Sequence, residues 1–120
     1  MPDNIMYKEV EVNGVANEET VENILTGTEE EQYYIISISY TETTSTLQGD
    51  ATLRAYVERE KIVDMSYQHL LDYSGSNSRW LGGWIEINRK LNTGETLKVG
   101  FVSGSTASNF KIAIKYYVVS

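Results

Sequence analysis

Apolar and polar residues alternate along most of this chain with a period of two. In "YYIISISY", Tyr34, Ile36, Ile38 and Tyr40 fall on one face, and Ile35, Ser37 and Ser39 on the other. In "ATLRAYVE", Ala51, Leu53, Ala55 and Val57 alternate with Thr52, Arg54, Tyr56 and Glu58. "TLKVGFV" sets Leu97, Val99 and Phe101 on one side, and "FKIAIKYYVV" does the same with Phe110, Ile112, Ile114, Tyr116 and Val118. In "WIEIN", Ile85 and Ile87 point inward, which turns Trp84 outward. A period of two is what a strand with one buried face requires, and the abundance of Ile, Val, Thr and Tyr agrees. "MYKEVEV", "TVENILT" and "EKIVDM" are weaker strand candidates.

Turn residues separate these runs. "LTGTEEE", "STLQGD", "YSGSNS", "LNTG" and "SGSTASN" each combine Gly with Asn, Asp, Ser or Thr, residues that accept tight or left-handed backbone. In "LNTGETLKVG", Gly94 can take a positive φ while Leu97 and Val99 re-enter the core. Gly75, Gly82 and Gly83 lie in "GSNSRWLGGW", where no strand–loop–helix unit surrounds them. The Gly82–Gly83 pair marks a bend or bulge instead. Only "SYQHLLDY" leans helical, with Ser66 as its cap and Leu70 and Leu71 toward the core. The expected fold is all-β: an antiparallel, jelly-roll-like β-sandwich of seven to eight strands with at most one short helix. A domain over 20–120 follows an acidic N-terminal arm, 1–19.

Charge sharpens that division. Residues 1–31 hold nine acids and one base, whereas the remainder holds eight acids and nine bases, for a total of −7. No Lys/Arg cluster exists to neutralise phosphates, so nucleic acid is not an expected partner. There is no apolar run of membrane-spanning length and no leader pattern in "MPDNIMYKEVEV", so no membrane is expected. Cysteine is absent, which excludes disulfides and thiolate metal sites.

The search for reactive groups returns little. His69 is the lone histidine, and the serines around it lack a nucleophile-elbow pattern. One His without Cys leaves only carboxylates for a metal, with no Ca²⁺-loop spacing. Glu29, Glu30 and Glu31 are adjacent and read as a charged turn whose side chains diverge. No enzyme activity, cofactor or metal is expected. Aromatics are the richer signal: nine Tyr and two Trp. Their apolar bodies and polar tips suit surfaces that become buried on association. The expected partner-binding set is Tyr7, Tyr56, Arg79, Trp80, Trp84 and Tyr117, acting as a protein hot spot or, through Trp80 and Trp84, as a sugar platform.

From Ile24 to Ser120 the order of features is similar to a known group. A strand and polar turn ("ILTGTEEEQ") lead into the long strand "YYIISISYTETTST", and "DATLRAYVERE" follows. The run "LGGWIEINRKLNTGETLKVGFVSGSTASNFKIAIKYYVVS" then gives a strand, the turn of Leu91, Gly94, Glu95, Thr96 and Leu97, another strand, a polar hairpin and a last strand. This resembles small jelly-roll-like virion proteins of tailed bacteriophages and related viruses: capsid decoration (cement), head-fibre and tail-associated proteins. The resemblance implies a structural role on the virion, after synthesis in the host cytoplasm, with the N-terminal arm and the aromatic surface gripping the outer capsid shell. It implies a major capsid protein or another virion protein as partner, and a homo-oligomer, with a trimer favoured. The other expectation is a carbohydrate- or receptor-binding module of a viral tail or fibre.

Overall fold

The computed structural model describes residues 4–43, 50–72, 79–80 and 83–119. The turn residues at 45–49 and 73–78, with Gly75, and Gly82 lie outside them. Eight long strands build two sheets. The first contains β1 (Met6–Asn13), β3 (Gln32–Glu42), β8 (Ile85–Leu91) and β10 (Asn109–Val119), in the order β1-β10-β3-β8. The second contains β2 (Glu19–Thr26), β4 (Thr52–Val57), β5 (Glu60–Ser66) and β9 (Thr96–Val102), in the order β2-β9-β4-β5. All pairings between them are antiparallel. Among these eight strands the chain changes sheet at every connection except the β4–β5 hairpin. Two interleaved sheets of this order are a jelly roll.

The core lies between the sheets. Ile35, Ile38, Tyr40, Leu53, Ala55, Leu97, Val99, Phe101, Phe110, Ile112 and Ile114 are fully excluded from solvent. Phe110 is its centre, packing against Phe101 at 4.6 Å and Tyr67 at 4.8 Å between ring centroids. Strict alternation fails in β2, where the register slips against β9 and the consecutive Ile24 and Leu25 are both buried, and again in β3. β3 carries an irregularity at Ile36, where the register slips against both β10 and β8. Ile35 and Ile38 therefore both enter the core, and Tyr34 turns outward rather than sharing the face of Ile38 and Tyr40. A bulge adds one residue to one strand and so inverts the phase of everything before it. The other strand of that irregularity holds Asn88 at φ +51°, a left-handed conformation that Asn tolerates.

Residues 6–13, expected in an arm, pair along their whole length with β10 as an edge strand of the first sheet. Val10 and Val12 give this strand its purchase on the core. The helical segment is shorter than the sequence suggests: a single 3-10 turn, Tyr67–Leu70, followed by the two-residue strand β6 (Leu71–Asp72), which pairs with β7 (Arg79–Trp80). Ser66 does cap the turn, its Oγ accepting from the Gln68 N–H at 3.2 Å. Tyr67 is the side chain buried there, and Leu70 packs beside the core.

The ends of the sandwich are tied by backbone bonds. At one end Gly14 N–H donates to Ser108 O (2.9 Å) and Asn17 N–H to Gly104 O (2.8 Å). At the other, Gly94 N–H donates to Gly27 O (2.9 Å), and Gly94 holds φ at +84°, as its turn requires. Gly100 answers a different need. A Cβ there would sit 2.0 Å from the Thr20 carbonyl oxygen, so only a glycine lets β2 approach β9 this closely.

Candidate aromatic binding face

The outer face of the first sheet gathers three of the six expected contact residues. Alternation from Val10 and Val12, which face the core, turns Tyr7 outward on β1. Trp84 stands just before β8, at the opposite edge of the same sheet. The two rings nonetheless meet, with centroids 5.9 Å apart and planes at 57°. They reach each other because the strands between them carry small or slender residues on this face. Tyr7 is level with Lys115, which is level with Ser37, and Ser39 and Ala113 form the next row. Three strand spacings separate β1 from β8, roughly 14 Å. Two long aromatic side chains leaning inward close that gap. Ser39 fixes the approach of Trp84 by donating its Oγ–H to the Gly83 carbonyl at 3.1 Å. Gly83 supplies the bend at φ +119°.

Tyr7 is 62% exposed and Trp84 43% exposed, the most open large aromatics among the described residues. Ile5, just ahead of β1, is also exposed. One residue pair further along the face, Tyr117 stacks on Tyr34, with centroids 5.2 Å apart and planes at 21°. They are register partners on β10 and β3. The sequence singled out Tyr117 but set Tyr34 on the face of Ile38 and Tyr40; the irregularity at Ile36 reverses it. Tyr116, on the inner side as expected, meets Tyr33 edge-on at 5.7 Å.

Beyond this tyrosine pair the face ends in a cleft of about 300 Å³ lined by Glu29, Glu30, Gln32, Lys90 and Val119. Glu29 and Glu30, expected to diverge, thus line one cavity. The turn responsible closes through Thr28 N–H donating to Glu31 O at 2.7 Å. Glu31 leaves the cluster by accepting from the Tyr33 hydroxyl at 2.8 Å. That hydrogen bond, with burial and the nearby negative charge, holds the Tyr33 phenol above its ordinary pKa. Gln32 is held in turn by donating its amide N–H to Thr93 Oγ1 at 3.1 Å.

Tyr56 lies elsewhere. It projects from the outer face of the second sheet, as its alternation with Ala55 and Val57 requires. There its hydroxyl donates to Glu19 Oε2 at 2.5 Å. Arg54 approaches the same oxygen at 3.3 Å and Asp64 Oδ1 at 2.9 Å. The hydrogen-bonded phenol and the two acids raise the Arg54 pKa against the opposing effect of burial. Tyr56 is therefore a member of a charged brace across β2, β4 and β5, on the far side from Tyr7 and Trp84. Arg79 and Trp80 form β7, and their side chains lie outside the described residues. His69 is exposed on the 3-10 turn. Among the described residues no group of three or more His, Asp or Glu could hold a metal ion, and no helix is long and apolar enough to cross a membrane.

These features define a class: an eight-stranded jelly roll with one aromatic outer face. No family model, curated protein or solved structure matches the chain.

Proposed function

We propose that this protein is a non-enzymatic structural component of a virion. It binds the outer capsid shell as a decoration or stabilising protein, and it acts through the outer face of its first sheet. The observation that carries the reading is the Tyr7–Trp84 pair, two large rings in contact with each other and left open to solvent. Exposed aromatics that are already ordered lose little conformational entropy when a partner covers them, and Trp and Tyr are enriched among interface hot spots. The strand-and-turn order, which resembles that of small virion jelly rolls, supports the same reading. The partner is the major capsid protein or another virion protein, and the chain acts as a homo-oligomer, with three copies favoured.

Mixing of the purified chain with virion shells, followed by co-sedimentation, tests the reading. The wild-type chain is expected to pellet with the shells. Tyr7→Ala and Trp84→Ala each weaken that association about 30-fold or more, the effect of losing a hot-spot aromatic. Failure to pellet with any shell offered, or pelleting of both variants as complete as that of the wild type, overturns it. Light scattering of the free protein reports the copy number.

A further inference from the structure

The cleft at the end of the aromatic face has a chemistry of its own. Its lining presents two carboxylates (Glu29, Glu30), an amide (Gln32), an ammonium (Lys90) and the apolar surface of Val119. Its volume stands at the low end of the roughly 300–1,000 Å³ found for small-molecule sites. Next to it, two residues on in β3 and two residues back in β10, the Tyr34–Tyr117 stack rises from the same face. Lys90 joins the two parts, because it lines the cleft and is the register partner of Tyr34.

We infer that this cleft and the tyrosine pair form a binding site for a neutral oligosaccharide. Carboxylates and an amide oxygen accept hydrogen bonds from hydroxyls, and Lys90 donates to hydroxyl or ring oxygens. A sugar presents both kinds of group on every ring. Its apolar C–H face complements the electron-rich face of an aromatic ring, and Tyr34 and Tyr117 supply such rings one step from the polar groups. The charge balance selects among sugars. Two acids against one base disfavour a uronic or sialic acid, whose carboxylate would meet Glu29 and Glu30. Order in the site comes from the Gln32–Thr93 hydrogen bond and the tyrosine stack, so both elements stand ready before a ligand arrives.

This site adjoins the contact proposed for the shell at Tyr117, two residues along β10 from the register partner of Tyr7, but the far ends of the two lie well apart. Gln32 is seven residues from Ser39, the residue that anchors the segment before Trp84, or about 20 Å along the strand. Substitutions at either end therefore separate the two readings.

Titration calorimetry on the full chain is the test, with chitotetraose, cellotetraose and maltotetraose as neutral probes and tetragalacturonate as the acidic one. At least one neutral probe is expected to bind with a Kd at or below about 1 mM, and tetragalacturonate at least about tenfold more weakly. Tyr117→Ala and Gln32→Ala each weaken the neutral probe about tenfold. Trp84→Ala leaves its Kd unchanged. Gln32 lies outside the core, so its variant keeps the test valid if Tyr117→Ala lowers stability. Absence of heat from all three neutral probes, or an unchanged Kd in Gln32→Ala, overturns the inference. A wild-type chain that binds a neutral probe but pellets with no shell loses the first proposal alone; one that pellets with a shell but binds no neutral probe loses the second alone.

Discussion

Arg89 on β8 grips Glu60 on β5 with both terminal nitrogens, Nη1 to Oε2 at 2.8 Å and Nη2 to Oε1 at 3.1 Å. β8 is an edge of the first sheet and β5 an edge of the second. This two-pronged pair is therefore a clasp between the layers, joining an edge strand of one sheet to an edge strand of the other. Paired, planar hydrogen bonding of this kind is what a guanidinium offers and an ammonium does not.

The clasp should weaken in acid. Hydrogen bonds from Arg89, then its positive charge, hold the Glu60 carboxyl below its ordinary value of 4.5. A carboxyl whose folded pKa is depressed contributes stability above the unfolded pKa and loses it as pH falls through the folded one. Thermal melts of wild type and Glu60→Gln should differ by a small amount at pH 7, about 1–3 °C for so exposed a pair. The difference should vanish below the folded-state pKa. A gap that persists at about pH 2 would remove the ion pair as its cause.

Tyr40 should respond at the opposite end of the pH scale. Its hydroxyl is buried and donates to the Arg54 carbonyl at 2.7 Å, and burial drives its pKa far above the ordinary phenol value. The unfolded chain releases this proton near pH 10, while the folded one retains it. The stability due to Tyr40 is thus complete below about pH 10 and declines above it. At pH 7, Tyr40→Phe should cost about 1 kcal/mol. Urea titrations at pH 7 and pH 11 should show the advantage of wild type shrinking in alkali.

Gly100→Ala should be severely destabilising, by about 3 kcal/mol or more, because the new methyl meets backbone on β2 that cannot swing aside. Circular dichroism melts of this variant check it. Gly94→Ala is the contrasting case. Nothing lies within 4 Å of a Cβ there, so its cost is the strain of φ +84° alone, about 1 kcal/mol. Equal melting temperatures for the two variants would count against close β2–β9 packing.

Truncation before Gly14 removes β1, not a loose tail. It exposes the edge of β10 and takes Val10 and Val12 out of the core. The expected result is a loss of about 3 kcal/mol or more, with a tendency to aggregate through the bared strand. A truncated chain that melts like the full one would show that β1 contributes nothing to the sandwich.

Much of the architecture was legible in the order of residues. The period of two in "ATLRAYVE", "TLKVGFV" and "FKIAIKYYVV" is a local consequence of strand geometry, so β4, β9 and β10 could be assigned with their buried faces. Gly94 announced its turn because few residues accept that backbone. Trp84 could be sent outward by counting from Ile85. The segment containing Tyr7 was less clear: its short run of Met, Val and Val among acids looks as much like a solvated arm as an edge strand, and only pairing with β10 distinguishes them.

What alternation could not supply was everything that depends on a neighbour. The irregularity at Ile36 is a mismatch between strands, invisible in either strand alone, yet it decides that Tyr34 faces out and stacks on Tyr117. The meeting of Tyr7 with Trp84 needs two edges of one sheet and the small residues between them. The cleft needs residues from three separate segments. Hydrophobic period is written in consecutive residues and so belongs to the sequence. Register, edge and cavity arise only when strands distant in the chain are laid side by side, and those the tertiary structure decided.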